Sequence, residues 1–362
     1  MFKKCTKILN ILLIIILTLG CNSSPTGPNN STENKMYVYS NSGNTFYLVD
    51  YKTYEVVKEI QLPVSDTVSY DGMQISTNRD YLFFGAQGQF PNPPSGFAIY
   101  NIKKEKLENI FFTELNYGIG YFIAAENKSE PGLVYVHFRD YGTYSIDLFE
   151  QKVKEFISDE HSFVLDKRIY NSPDGKWTVV KKNWEGDRYG GYTELEFYTQ
   201  NSGLHDLQFV LNRGNKDSLR IDDFVFLKEN KLFITYLPGP TRGAQESIGS
   251  YDLETKKLFR SSLKFPWSLN PYYTAYSPSR NEVYTIGAYD KLYVINTDSY
   301  EVKDTITLVG KITGSSQILI TPNEDIAFVA SPNSNSIFVI DLNNKEVIKT
   351  IPVKEPYNII IP

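Results

Sequence analysis

From Lys35 onward the apolar residues fall in short runs rich in Val, Ile, Tyr and Phe, separated by clusters of Asn, Asp, Gly, Pro and Lys. No stretch keeps a 3.6-residue apolar rhythm over three turns, so the pattern predicts strands joined by tight turns. The runs recur in sets, and one run of each set ends on an apolar or aromatic residue followed by a polar one. These markers are Val49-Asp50, Tyr100-Asn101, Ile146-Asp147, Tyr198-Thr199, Tyr251-Asp252, Ile295-Asn296 and Ile340-Asp341, at spacings of 51, 46, 52, 53, 44 and 45 residues. Such intervals suit four-stranded blades. An Asp or Asn there can accept backbone N–H groups and fix the hairpin that follows. After each turn comes a strand of mixed apolar and charged residues, such as EVVKEIQL or EVIKTIPV, fitting an outer edge that faces water.

Blades 2 to 7 each open with an inner strand: GMQIST, YFIAAE, FVLDKRIY, DFVFLK, YYTAYS and SQILIT. Blade 1 lacks one at its N-terminal end, and YNIIIP, Tyr357 to Pro362, is expected to supply it. The reading is therefore all-β: a seven-bladed β-propeller over residues 35–362, closed by three N-terminal strands plus one C-terminal strand in blade 1. Closure buries two apolar blade faces that an open ring would expose.

The segments SPNSNSIFVIDLNNKEVIKTIPV and YTIGAYDKLYVINTDSYEVKDTITL, together with the first repeat, resemble the YVTN-type repeat family of seven-bladed propellers. Blades 1, 6 and 7 carry the pattern well, whereas blades 2 to 5 depart from it through longer loops and drifted strands. The resemblance implies a fold and an exported or surface compartment. It implies no catalytic residue, because the repeat is structural.

Ahead of the ring, Lys3, Lys4 and Lys7 precede an apolar run that ends at Leu19-Gly20-Cys21. That layout describes a bacterial export signal, and the run is short for a membrane-spanning helix. It resembles a lipoprotein signal over residues 1–20, with Cys21 as the lipid-modified first residue and 21–34 as a polar tether. Cys21 would be the sole cysteine after cleavage, which leaves it no internal disulfide partner. Asn22 favours the outer membrane or cell surface over the inner membrane. Losing the three lysines takes the net charge from −5 to −8. An acidic chain without basic clusters argues against a nucleic-acid partner.

Candidate chemistry falls on one face, where the loops between second and third strands open beside the central channel. Enlarged loops are expected at 85–96 in blade 2, 181–192 in blade 4 and 236–247 in blade 5. They bring Gln87, Gln89, Phe90, Trp184, Arg188, Tyr189, Tyr236, Arg242 and Gln245, a mixture of flat rings and long polar groups suited to a protein, peptide or glycan. The channel mouth offers Tyr70, Asp71, Tyr117, His161, Asp222, Tyr272, Gln317 and Tyr357. The blander accounts are that the aromatics pin loops and the mouth holds water.

His137, His161 and His205 lie in different blades without metal-ligand spacing, and no HExxH, CxxCH, G-x-S-x-G or phosphate-cradling loop is present. No cofactor is called for, though the mouth would admit Ca²⁺. On this footing the expectation is a non-catalytic, lipid-anchored envelope module for binding or scaffolding. The alternative is a propeller enzyme, a hydrolase, lyase or lactonase-like protein, using channel-mouth residues with or without a divalent metal.

Overall fold

The computed structural model describes residues 34–40, 44–62, 68–88, 95–112, 124–126, 130–138, 142–158, 164–184, 192–199, 204, 207–211, 219–227, 230–238, 247–264, 273–287, 291–308 and 317–362. Asn34–Pro362 forms one compact unit. Its strands, numbered β1–β28 in chain order, make seven four-stranded antiparallel sheets. Blade 1 is ordered β28-β1-β2-β3, so that β28 (Pro356–Ile360) pairs with β1 (Lys35–Ser40) and completes the sheet of β2 (Thr45–Asp50) and β3 (Glu55–Gln61). The seven-bladed propeller and its mixed-terminus closure are therefore as the residue pattern predicts.

Six blades begin with an innermost strand: β4 (Val68–Ile75), β8 (Ala124–Glu126), β12 (Val164–Asn171), β16 (Leu219–Phe226), β20 (Thr274–Ser277) and β24 (Ile318–Ile320). With β28 these make the inner ring, in which neighbours such as β16 and β20, β20 and β24, and β28 and β4 touch. In blades 2 and 5 this strand starts at Val68 and Leu219, ahead of the positions expected from GMQIST and DFVFLK.

Alternation along each strand sends side chains to the two flanking blades, and seven apolar clusters fill the seven seams. Tyr37, Phe46, Phe84 and Tyr100 lock blade 1 to blade 2, with the Phe46 and Tyr100 rings edge to face at 4.9 Å. Met36, Val38, Phe328 and Ile359 lock blade 7 to blade 1. The turn markers behave as their chemistry requires. Asp50, Asp147, Asp252, Asn296 and Asp341 each accept the N–H groups two and three residues ahead.

No helix among the described residues is long and apolar enough to cross a membrane.

Candidate functional site

Blades 4 and 5 bring a set of buried charges to the inner ring. In β16 the register slips between Ile221, opposite Tyr236, and Asp223, opposite Thr235, which leaves Asp222 as the extra residue of a β-bulge. Bulges of this kind re-aim side chains at rims and sites. The inner strands β4, β12 and β28 carry a register shift as well.

The Asp222 side chain is 8 % exposed, and its Oδ1 lies 3.1 Å from Nε of Arg220. Its Oδ2 is buried and has no hydrogen-bond partner among the described residues. An unpaired buried carboxylate oxygen is costly, and burial pushes the Asp222 carboxyl above its usual range against the pull of Arg220 and Lys181. Lys181 comes from the neighbouring blade, on β13 (Trp177–Trp184), and its Nζ donates to the Asp222 carbonyl oxygen.

Asp223 turns to the other seam. Its Oδ2 accepts the Thr274 backbone N–H at 2.5 Å and the Thr274 hydroxyl at 2.9 Å, tying β16 to β20. Thr235, on β17 (Lys231–Pro238), takes the Asp223 N–H on its Oγ1 and donates back to the Asp223 carbonyl. Burial lifts the Asp223 carboxyl to about 6, with Lys181 and the Thr274 bonds pulling the other way.

The same latch recurs between blades 7 and 1, where Gln317 Oε1 accepts the Ile359 N–H at 2.5 Å. Gln317 thus spends its side chain on ring closure. Tyr357, at the bulge of β28, packs against the core between blades 1 and 2. Tyr236 lies in the core between blades 4 and 5 at 2 % exposure. Among the remaining sequence candidates, Gln87 lies on β5 (Tyr81–Gly88) opposite Ser69 and Ser95, and Trp184 ends β13 opposite Val164. Tyr70 and Asp71 lie on β4. Cys21, Gln89, Phe90, Tyr117, His161, Arg188, Tyr189, Arg242, Gln245 and Tyr272 fall outside the described residues.

The structure therefore groups Asp222 with Lys181, Arg220 and Asp223, three charges absent from the sequence candidates. Their signal was a pair of charged doublets, Lys181-Lys182 and Asp222-Asp223, inside strands of otherwise apolar rhythm. Among the described residues no group of three or more His, Cys, Asp or Glu side chains is placed to hold a metal ion.

No protein-family model matches the chain, and no curated protein matches it by sequence. Solved structures do resemble it. The periplasmic gluconolactonase of Pseudomonas aeruginosa aligns with a TM-score of 0.62 at 11 % identity, over 91 % of this chain and 99 % of that one. A protein of unknown function from Desulfotomaculum acetoxidans aligns at 0.61 and 13 % identity, over 90 % and 98 %. A Bacteroides fragilis protein proposed to be a 6-phosphogluconolactonase aligns at 0.60 and 12 %, over 91 % and 98 %. At such identities the likeness is one of fold. It nevertheless corrects the leaning away from catalysis. Catalytic propellers share this architecture, so the lack of a short sequence motif does not count against an enzyme here.

Proposed function

We propose that the protein is a propeller hydrolase of lactonase type, with Asp222 at the channel mouth as its proton acceptor and donor. The observation that carries this reading is the Asp222 carboxylate itself, bulged from an inner-ring strand, with one oxygen on Arg220 and the other buried without a partner among the described residues. A general base needs a carboxylate whose proton affinity is raised toward working pH, and burial raises that of Asp222. In the proposed step the carboxylate takes a proton from water as the water oxygen bonds to the lactone carbonyl carbon. The tetrahedral oxyanion then collapses, the ring C–O bond breaks, and the leaving alkoxide receives the proton from Asp222. Arg220 is 48 % exposed, and a guanidinium has five N–H donors, so beyond its contact with Asp222 it has donors for the developing oxyanion. The lactonase named among the structural neighbours supports this chemistry.

The test is hydrolysis of a panel of aldonolactones, followed by pH-stat titration. Asp222→Asn should lower turnover at least about 100-fold, the usual weight of a general base, while leaving the melting temperature within a few degrees. Full activity in that variant overturns the assignment.

The compartment belongs to the same reading. A YVTN-type ring behind Leu19-Gly20-Cys21 is proposed to be an exported lipoprotein held at the envelope by acylated Cys21. Metabolic labelling with an alkynyl fatty acid should tag the wild type and not Cys21→Ser; equal labelling removes the anchor from the proposal.

A further inference from the structure

We propose that Lys181, on blade 4, is the positioning residue of the Asp222 site: its ammonium crosses the seam to blade 5, fixes the bulge and supplies a positive charge behind the carboxylate. This inference rests on the reading of Asp222 as proton acceptor.

Burying a lysine is costly unless the site uses its charge. Blade 4 buries two in succession, Lys181 at 4 % and Lys182 at 3 % exposure. Strand alternation sends them to opposite seams. Lys182 faces blade 3 and is matched by Glu196 Oε1 at 2.7 Å, whose Oε2 accepts the Tyr198 hydroxyl at 2.7 Å. Lys181 faces blade 5 and puts its Nζ on the carbonyl of Asp222, the residue that the ladder leaves without a cross-strand partner.

The propeller does not require a lysine there. Four residues into the second strand the equivalent positions are Tyr39, Gly85, His137, Thr235, Ile286 and Ala330, none of them a lysine, in strands that complete the same four-stranded sheets. Blade 4 also holds the neighbouring carbonyl, since Thr193 Oγ1 donates to the Ile221 oxygen at 3.2 Å. Two consecutive carbonyls of the bulge are thus gripped from the adjacent blade, which sets where Asp222 sits.

Among the described residues, the charges at Asp222 are Arg220 on its own strand, Asp223 beside it and Lys181 across the seam. Asp223 is engaged by Thr274 on the far side. Arg220 is exposed and screened by water, whereas Lys181 is buried and screened less. Lys181 lowers the proton affinity of both aspartates.

The experiment titrates Asp222 by carboxyl carbon NMR in the intact protein, with Asp222→Asn used to assign its resonance, and in Lys181→Met, Lys181→Gln and Lys181→Arg. Loss of the charge should move the Asp222 midpoint up by about 1 unit or more. Lys181→Gln keeps a donor without the charge, so it separates the two roles and gives a reading if Lys181→Met fails to fold. Lys181→Arg should restore the midpoint. An Asp222 midpoint unchanged to within a few tenths in the folded neutral variants overturns the role of Lys181. With lactone as substrate, the acid limb of the rate profile should move by the same amount. A limb that stays put while the midpoint moves overturns positioning for turnover. Failure of the wild type to hydrolyse any lactone removes the hydrolase reading, and the midpoint then still decides the tie from Lys181 to Asp222.

Discussion

At Asp223, desolvation wins over its hydrogen bonds and over Lys181, and the folded protein holds a proton there up to pH about 6. The unfolded chain releases it near 3.9, so the folded state binds more protons between those values. Stability then falls as pH rises from about 4 to about 6 and levels off above, by roughly 3 kcal/mol from this group. Asp222 is shifted in the same direction, whereas Asp252 and Asp341, held low by backbone N–H groups, act in the opposite sense at lower pH. Asp223→Asn isolates the effect: the stability difference from wild type should change by about 2–3 kcal/mol between pH 4 and pH 7 in urea melts. A difference constant across that range refutes the buried proton. A second residue-scale argument lies at the blade corners. Between blades 6 and 7, Glu282 at 2 % exposure is held by Lys303 at 2.6 Å and by Lys345. Between blades 1 and 2 the equivalent corner again sets one carboxylate between two lysines, with Glu105 on Lys35 at 2.5 Å and on Lys58 at 3.4 Å. Lys345→Met should cost about 3 kcal/mol by leaving a buried carboxylate short of a partner. Adding Glu282→Leu should recover most of that loss in a double-mutant cycle, and additive effects would show that the two residues are not coupled.

Among elements, β28 shows what a sequence can and cannot disclose. Its pairing with β1 was legible because the first blade lacked an inner strand and YNIIIP had the right apolar content. The markers were legible because an Asp fixing the next two N–H groups is a local event. The bulges were not, since an extra residue is defined only against the partner strand. In blade 5 the inner strand appeared to start at Asp223, so Asp222 read as part of the connection, whereas the pairing begins at Leu219. Tyr236 looked like a loop aromatic for a similar reason, because β17 runs on to Pro238 and carries it into the core. Gln317 read as a mouth residue, and only the neighbouring strand shows that it is spent on Ile359. Removing residues 356–362 takes away Ile359 and Ile360 and uncovers Met36 and Val38 of the closing seam. That truncation should abolish cooperative thermal unfolding, while deletion of residues 22–33 should leave the melting curve unchanged. A cooperative melt for the C-terminal truncation would mean that three strands suffice for blade 1.

For the whole ring, stability depends on seven seams in series, and they are not equal. The seam between blades 6 and 7 buries Tyr284, Ile286, Leu292, Val294, Val329, Phe338 and Ile340 among others. Among the described residues, the one between blades 3 and 4 buries Tyr135, Val180 and Leu204, with Ile157 and Tyr198 at its margin. The same seam carries the ion pair of Lys182 and Glu196, both nearly excluded from water. Coulombic attraction in such a place is offset by desolvating both groups, so the pair adds less than an apolar filling of the same volume. A ring opens first where the least free energy is needed, and the buried ion pair makes this seam the expected place. Native-state hydrogen exchange should find the amides of β13 and of β9 (Leu133–Phe138), its neighbour across that seam, exchanging through a lower-energy opening than those of β21 (Glu282–Gly287) and β25 (Ile326–Ser331). Replacing the pair together, Lys182→Met with Glu196→Leu, should raise stability by about 1–4 kcal/mol and close that gap, although it removes the Glu196 acceptor of the Tyr198 hydroxyl. Lys182→Met alone should cost about 3–5 kcal/mol, because Glu196 then remains buried with only the tyrosine as partner. If the double variant is no more stable than wild type and exchange is uniform around the ring, the buried pair is not the weak point of the propeller.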